Sequence, residues 1–366
     1  MRAHVLLLGK GTVGGQLLLQ LASTRSSLLR DHGIDIRLAG IADRRAQVVD
    51  PTGLDPGSAR SRLVEATDEV DLGAALKRLA PLETPILVDC TAADDMEALY
   101  ATAFRLGIHV VTANKKPLAT STEKRNALFA TARESGAALR YETTVGASLP
   151  IIETLKNLVA TGDRVHAIEG SFSGTLGFLV NEVSRGEALS TALRTARSRG
   201  YTEPHPRDDL AGTDVARKAL ILAREIGLVL EPSDVVTTPL VPAALFEPDD
   251  VERFFAGVAA HDAKFQQTIT HLREDGCELR YLATITPGGE GGTADRPRVT
   301  VGPVGVREGH PARRLRGTES FVAFHSERYR DHPLVVQGPG AGGALTASGV
   351  LADVIAIARQ VGRAPA

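Results

Sequence analysis

The stretch that decides the fold is HVLLLGKGTVGGQLLLQLA, residues 4–22. Residues 4–8 form a short apolar run typical of a buried parallel strand, and residues 16–21 have the composition of a helix. Between them, residues 9–14 have the spacing G-x-G-x-x-G, which allows a tight turn and a close approach to a pyrophosphate at a helix N-terminus. The stretch predicts a dinucleotide site; the alternative is a glycine turn that binds nothing. The predicted contacts are Gly9, Gly11, Thr12, Val13 and Gly14.

Strand-like and helix-like stretches alternate after this motif. Strands are predicted in IDIRLAGIAD, TPILVDCTA, GIHVVTANKKP and AALRYETTVG, and helices over residues 72–80, 94–106 and 121–135. This alternation indicates an α/β protein with a Rossmann-type, doubly wound parallel sheet. Residues 48–61 contain two prolines and two glycines, so we expect a loop there.

Ligands of such sheets bind beyond the carboxyl ends of the strands. Thr91, Asn114, Lys115 and Lys116 follow two of the predicted strands directly. Thr91 and the two lysines are therefore predicted to lie on the cofactor side. For a pair of lysines, a solvated loop is the alternative.

A second domain is predicted to begin at residue 149, where the pattern changes. An amphipathic helix (IIETLKNLVATGD) is followed by a strand, a Ser-Gly-Thr turn and another helix, and later by the strand-like runs CELRYLATITP, PRVTVGPVGV and SFVAFHSE. We expect an α+β domain with a mixed sheet, in which residues 288–296 form a hairpin or flexible loop. A final glycine turn and apolar helix are expected to return to the first domain. The predicted domains are 1–148 with 341–366 for the dinucleotide, and 149–340 for substrate binding, catalysis and dimerisation.

Composition excludes several classes of protein. A formal net charge of -2 gives no electrostatic basis for binding nucleic acid or an anionic membrane. The N-terminal apolar run enters a glycine turn, so no signal peptide is expected, and no apolar stretch approaches the roughly 20 residues that cross a bilayer. Cys90 and Cys277 are isolated in sequence and suggest neither a disulfide framework nor a thiolate metal site. We expect a cytoplasmic protein.

The segment GYTEPHPRDDLAGTDVARKA, residues 200–219, concentrates acids and bases. If residues 213–228 form a helix, Asp214 and Lys218 are four apart on one face, and an ordinary ion pair accounts for them. That pair does not account for Glu203 and Asp209 in the proline-rich stretch just before the helix. An amino-acid substrate would, because its ammonium group needs carboxylates and its reacting oxygen needs a proton donor.

Six blocks in this order resemble homoserine dehydrogenase: GKGTVG, TANKKP, YETTVGASLP, FSGTLGFLVNE, GYTEPHPRDDLAGTDVARK and GPGAGGALTASG. The resemblance covers nearly the whole chain. It implies interconversion of homoserine and aspartate 4-semialdehyde with NAD or NADP, on the route to threonine and methionine. It also implies the short form of the family, without the C-terminal regulatory extension or a fused aspartate kinase.

The resemblance assigns roles within these blocks. Glu203 and Asp214 match substrate-binding acids, and Lys218 matches the acid/base lysine, with Lys116 as a second catalytic candidate. Further substrate-side candidates are Asp209, Gly174, Thr175 and Tyr201. Further cofactor-side candidates are Thr91, Lys116, Gly340 and Gly342.

The block YETTVGASLP suggests a cation site. In an extended loop, the carbonyl oxygens of Val145, Ala147 and Leu149 can point to one side while Glu142 adds a carboxylate, giving the all-oxygen shell that hard cations prefer. The resemblance implies a monovalent cation at these positions, namely Na+. The alternative is a strand-to-helix connection that binds nothing.

The choice between NAD and NADP stays open. Asp43, after the second strand, suits a ribose 2′-hydroxyl and favours NAD, whereas Lys10, Arg44 and Arg45 suit a 2′-phosphate and favour NADP. Because both features are present, we expect both cofactors to be used.

A homodimer is expected from residues 149–160, which carry more apolar positions than one narrow core stripe needs. The family resemblance implies a dimer as well. A helix buried between the two domains is the alternative. Two other functions remain open: another Rossmann-type amino-acid dehydrogenase, and a nucleotide sensor without catalysis. Neither requires the whole acid–lysine segment.

Overall fold

Two six-stranded sheets, one in each of two units of the chain, organise this computed structural model. Unit 1 comprises Met1–Ser148 and Gly342–Ala366, and unit 2 comprises Leu149–Ala341. The structure describes residues 1–67, 69–247, 250–289 and 296–361. Most of the predicted 288–296 hairpin, and residues 362–366 of the predicted first domain, therefore lie outside the described residues.

Unit 1 contains the alternating elements. Its strands are β1 (Arg2–Leu8), β2 (Asp35–Ala42), β3 (Gln47–Leu54), β4 (Pro85–Asp89), β5 (His109–Thr112) and β6 (Leu139–Arg140). Its first helices are α1 (Thr12–His32), α2 (Pro56–Glu65), α3 (Leu72–Leu79), α4 (Glu97–Arg105) and α5 (Thr122–Ser135). The strand order is β3-β2-β1-β4-β5-β6, and all neighbours are parallel except β2 and β3. The predicted α/β class with a Rossmann-type sheet is confirmed.

The loop predicted over residues 48–61 is wrong. This segment forms most of β3, which pairs antiparallel with β2, and then α2. Pro51 is tolerated because β3 lies at the edge of the sheet. Asp55 caps α2 by accepting a hydrogen bond from the amide of Ser58, and Pro56 takes the first helical turn, where no amide donor is needed.

Unit 2 is an α+β assembly. Its strands are β7 (Val165–Ser171), β8 (Val235–Thr237), β9 (Glu278–Thr286), β10 (Arg298–Val306), β11 (Glu319–Ser326) and β12 (Leu334–Pro339). Its helices are α6 (Ile152–Ala160), α7 (Gly174–Ser184), α8 (Leu189–Ser198), α9 (Arg207–Leu210), α10 (Thr213–Glu225) and α11 (Val251–Glu274). The strand order is β12-β11-β7-β9-β10-β8, with β8 and β10 parallel and the other neighbours antiparallel. The expected mixed sheet is confirmed.

The last helix, α12 (Gly343–Val361), belongs to unit 1. By length and composition it could cross a membrane, although no such stretch was expected from the sequence. Val350, Val354 and Ile357 are almost fully buried in a core cluster of unit 1 that also includes residues of β1 and α1. This packing accounts for the apolar composition of the helix.

Candidate active site

In the glycine turn of unit 1, the first and last glycines leave no space for a side chain, whereas the middle glycine does. Gly9 has φ +93°, and a Cβ there would lie 3.0 Å from the carbonyl oxygen of Cys90. A Cβ on Gly14 would lie 1.9 Å from the carbonyl oxygen of Gly9, so only glycine permits this strand–helix approach. A Cβ on Gly11 would meet nothing within 4 Å. The open space is thus at the middle glycine, where a pyrophosphate approaches the backbone.

The N-terminus of α1 is suited to an anion. Gly11 is its N-cap, no side chain caps it, and its first turn contains no acidic residue. A cavity of about 460 Å³ begins at this turn and is lined by Gly11, Thr12 and Gly15 on one side and by Gly57 and Arg60 of α2 on the other. The sequence did not point to Arg60, because α2 was expected to be a loop.

Lys10 and Asp43 form an ion pair, with 2.8 Å between Nζ and Oδ2. The other oxygen of Asp43 accepts hydrogen bonds from the amides of Arg45 and Ala46. Burial acts to raise the pKa of Asp43, but the hydrogen bonds from Lys10 and the two amides outweigh it and lower that pKa. The side chain of Arg44 is exposed. The acid that favours NAD is therefore directly neutralised by one of the bases that favour NADP.

A buried polar network holds the carboxyl ends of β4 and β5. Asp89 accepts hydrogen bonds from the Tyr100 hydroxyl at 2.5 Å and from the Asn114 amide at 3.3 Å. Its other oxygen accepts from the amide of Thr91 at 2.7 Å. Asn114 in turn accepts from the amide of Lys116. The network fixes Thr91 and Lys116, the two cofactor-side candidates at these strand ends.

Lys116 ion-pairs with Asp94, with 2.7 Å between Nζ and Oδ1. Both groups follow strands of unit 1, so the structure places Lys116 with the dinucleotide elements. Its assignment as a second catalytic group stays a prediction.

The predicted substrate residues of unit 2 meet around Asp209. Its Oδ2 accepts a hydrogen bond from the amide of Glu203 at 2.8 Å, and its Oδ1 lies 3.0 Å from the hydroxyl of Thr175. That hydroxyl is also 2.5 Å from the carbonyl oxygen of Tyr201. Tyr201 thus contributes its backbone, while its ring packs edge-on against Phe178. Four of the predicted residues are brought together although 34 positions separate Thr175 from Asp209.

The carboxyl of Asp209 is electrostatically unusual. Burial raises its pKa to about 6, and the negative charges of Glu203 and Asp214 add to this effect. The hydrogen bonds from the Glu203 amide and the Thr175 hydroxyl act in the opposite direction but do not cancel it. Three carboxylates crowded in this way favour an approaching cation, and an ammonium ion is one.

The ammonium group of Lys218 contacts a backbone carbonyl and a carboxylate. Its Nζ donates a hydrogen bond of 2.6 Å to the carbonyl oxygen of Phe172 and lies 2.7 Å from Oδ2 of Asp214. The residue is only 9% exposed, whereas the Asp214 side chain is 46% exposed. The sequence predicted the pair with Asp214, four residues away on α10. The Phe172 carbonyl was missed, because no local spacing connects residues 172 and 218.

The start of α10 is fixed by Gly212, its N-cap. Gly212 has φ +75°, and a Cβ would lie 2.1 Å from the hydroxyl oxygen of Tyr281 on β9. Tyr281 donates its proton to the carbonyl oxygen of Thr238. This packing fixes the start of α10 and therefore the positions of Asp214 and Lys218 along it.

The remaining glycine candidates differ in how closely they are packed. A Cβ on Gly174 would come within 3.4 Å of Thr318, and one on Gly340 would lie 2.0 Å from the hydroxyl oxygen of Ser320. Both contacts are within unit 2, whereas Gly342 belongs to unit 1 and has φ +122°. Ser173, just before Gly174, caps α7 by accepting a hydrogen bond from the amide of Leu176.

The predicted cation loop is strongly curved rather than extended. Residues 142–144 form a 3-10 helix, and the next turn contains two left-handed residues in succession, Gly146 (φ +78°) and Ala147 (φ +56°). Val145 and Ala147 are buried in unit 1, and the carbonyl oxygen of Leu149, in unit 2, accepts a hydrogen bond from the amide of Ile151. Across the described residues, no three His, Cys, Asp or Glu side chains form a metal-binding group.

Two models of one known family together match most of the chain. The model described as homoserine dehydrogenase matches residues 150–355, and that family's NAD-binding domain matches residues 9–142. The chain belongs to the homoserine dehydrogenase family. The predicted family is therefore confirmed.

Relatives within the homoserine dehydrogenase family include fused and unfused enzymes. Bifunctional aspartokinase/homoserine dehydrogenase 2 of Zea mays is 36% identical over 97% of this chain, which spans only 38% of that relative. Homoserine dehydrogenase of Schizosaccharomyces pombe is 34% identical over 98% of this chain and 96% of its own. A hyperthermophilic archaeal homoserine dehydrogenase, solved in complex with NADPH, superposes with a TM-score of 0.73 at 23% identity over 98% of both chains.

Proposed function

We propose that the protein catalyses the NAD(P)-dependent interconversion of L-homoserine and L-aspartate 4-semialdehyde. The observation that carries the proposal is the position of Lys218, a nearly buried ammonium held by the Phe172 carbonyl and Asp214. The same twenty-residue segment supplies the acids around Asp209. Family membership and the match to an NAD-binding domain support the choice of reaction.

The acids are assigned to the substrate's ammonium group. The carboxylates of Glu203 and Asp214 are assigned to contact the ammonium group. Asp209 accepts a hydrogen bond from the Glu203 amide and so holds the backbone at Glu203 in place. A cation placed here offsets the burial and the mutual repulsion that together raise the pKa of Asp209. Binding and orientation of an amino acid by its ammonium follows from this charge arrangement.

Lys218 is assigned to the reacting oxygen. The nicotinamide cofactor, when bound, supplies or accepts the hydride. The Lys218 ammonium stabilises negative charge on the substrate oxygen and donates a proton to it in the reducing direction, and takes the proton back in the oxidising direction. Asp214 and the Phe172 carbonyl hold Nζ in place, so little reorganisation is needed during the reaction.

The test is turnover of Lys218→Ala with homoserine and either cofactor, followed at the absorbance band of the reduced nicotinamide. We expect kcat to fall by about 10²–10⁴-fold while the Kd for NADPH stays within about twofold, because a proton donor acts in the transition state. Lys264→Ala, an exposed lysine on α11, is the matched control and should keep wild-type turnover. Near-normal kcat in Lys218→Ala, or no activity of the wild-type protein with homoserine, contradicts the proposal.

A monovalent cation, Na+, is assigned to the loop containing Glu142, Val145, Ala147 and Leu149. Support comes from Ala147, whose left-handed backbone costs about 1–2 kcal/mol in a non-glycine residue and persists only where its surroundings impose it. Oxygen ligands suit such an ion. Replacing NaCl with an equal concentration of tetramethylammonium chloride should lower the unfolding temperature; equal temperatures in both salts contradict the assignment.

A homodimer stays a prediction. Most apolar residues in and beside α6 are already buried within the single chain, namely Ile151, Ile152, Leu155 and Leu158. Val159, 41% exposed, is left at the surface, so the apolar composition of α6 does not by itself require a second copy. Light scattering at low micromolar concentration should give about twice the 38.7 kDa chain mass. A fully active monomer would remove the dimer.

A further inference from the structure

A cavity of about 430 Å³ in unit 2 is lined mainly by arginines. It lies where the end of α7 meets the start of β9 and the turn over residues 311–316. Its volume is in the range of sites that bind small metabolites. The five arginines are Arg185, Arg280, Arg313, Arg314 and Arg316.

Buried side chains hold the arginine-bearing turn in place. Arg280 is only 4% exposed and donates hydrogen bonds to the carbonyl oxygens of Ala312 at 2.8 Å and Arg313 at 3.2 Å. Asn181, buried on α7, donates to the carbonyl oxygen of Gly317 at 3.1 Å. Residues 312–317 are thus anchored at both ends, so the arginines between them are preorganised around the cavity.

The positive charge of the cavity is only partly compensated. Glu278 pairs with Arg280 at 2.9 Å and with Arg313 at 3.3 Å, and Glu182 pairs with Arg185 at 2.7 Å. Five arginines against two glutamates leave a net charge of about +3.

Two of the arginines are available to a ligand. Among the described residues, the guanidinium groups of Arg314 and Arg316 have no hydrogen-bond or ion-pair partner. Burial lowers the pKa of Arg280; Glu278 acts in the opposite direction, and the nearby charges of Arg313 and Arg185 act in the same direction as burial. An anion in the cavity would relieve this repulsion.

We propose that the arginine cavity is a binding site for a small phosphorylated anion. The planar fork of arginine matches phosphate oxygens in pairs, and a surplus of about three positive charges needs more than the single charge of one carboxylate. The site is distinct from the acid cluster: Thr175 and Ser184 lie at opposite ends of α7, about 14 Å apart along its axis. All of its residues are in unit 2, whereas the glycine turn is in unit 1.

The test is isothermal titration calorimetry with inorganic pyrophosphate at low ionic strength, in saturating NADPH so that the dinucleotide site is occupied. Wild-type protein should bind pyrophosphate, and Arg314→Ala/Arg316→Ala should bind it at least about tenfold more weakly, because both uncompensated guanidinium groups are removed. The matched control is Arg253→Ala/Arg298→Ala, which removes the same charge from exposed positions outside the cavity lining and should leave the Kd within about twofold.

Three outcomes overturn the proposal: no binding of pyrophosphate to the wild-type protein, equal weakening in the two double variants, or tighter binding of citrate than of pyrophosphate. The last result would assign the cavity to polycarboxylates. All four arginines are on the surface, so circular dichroism should give the wild-type spectrum for both double variants. None of these outcomes depends on homoserine turnover, so the proposal stands or falls separately from the proposed reaction.

Discussion

Asp209→Asn should stabilise the protein above neutral pH while weakening substrate binding. The asparagine can satisfy every contact of the site with one bond reversed: Oδ1 accepts from the Glu203 amide, and Nδ2 donates to the Thr175 hydroxyl oxygen, whose own proton goes to the Tyr201 carbonyl. Only the charge of the carboxylate is lost. The variant therefore separates the cost of the buried charge from its geometry.

The size of the effect follows from the pKa of Asp209. Burial raises it from 3.8 to about 6, so the ionised carboxylate is disfavoured in the folded state. A shift of about two units corresponds to about 3 kcal/mol, which we reduce to about 2 kcal/mol because the group is partly exposed to solvent. The cost is fully present above pH about 6, falls as the pH drops toward the unfolded-state pKa of 3.8, and is absent only below pH about 3, where the carboxyl is protonated in both states.

The assay is urea unfolding at about pH 8, 6 and 4. The chain contains no tryptophan, so far-UV circular dichroism is the suitable signal. Asp209→Asn should have a free energy of unfolding about 2 kcal/mol above wild type at pH 8, with most of that difference lost by pH 4. In the same variant KM for homoserine should rise, because one of three carboxylates is lost.

Asp208→Asn is the matched control. Asp208 is exposed and its oxygen lies 3.8 Å from the guanidinium of Arg207, so removing its charge should change stability little at any pH. A pH-independent difference between Asp209→Asn and wild type, or an equal gain in Asp208→Asn, would refute the account of the raised pKa.

Further predictions concern glycines and cofactor choice. Gly14→Ala should lower the unfolding temperature, because its Cβ would lie 1.9 Å from the Gly9 carbonyl oxygen, whereas Gly11→Ala should weaken NADPH binding at unchanged stability; equal thermal shifts contradict this. Gly212→Ala should lower the free energy of unfolding in urea by about 2–4 kcal/mol. Gly227→Ala should lower it less, because Gly227 is also left-handed but has open space at its Cβ. Lys10→Met should weaken the binding of NADPH more than that of NADH in fluorescence titrations. It removes a base and leaves Asp43, its partner at 2.8 Å, as an uncompensated negative charge near the 2′-phosphate. Equal losses for both cofactors would remove Lys10 from the 2′-phosphate site.

Local patterns in the sequence predicted the elements whose causes are local. The glycine spacing of residues 9–14 predicted the turn, because backbone approach and positive φ demand glycine whatever surrounds it. The four-residue spacing predicted the ion pair of Asp214 and Lys218, because helix geometry alone brings such side chains together. The prediction of a loop over residues 48–61 was wrong because the cause of its structure is not local. Prolines and glycines usually mark loops, but the edge of a sheet and the first turn of a helix both accept them.

The sequence alone determined the family, the fold class and the set of candidate residues, whereas only the tertiary structure decided how those residues are arranged. The Phe172 carbonyl reaches Lys218 across 46 positions, and Thr175 reaches Asp209 across 34. The raised pKa of Asp209 and the charge surplus around Arg280 likewise depend on burial and on neighbours from other elements. Desolvation and Coulomb interactions depend on distance in space, and separation along the chain does not fix that distance.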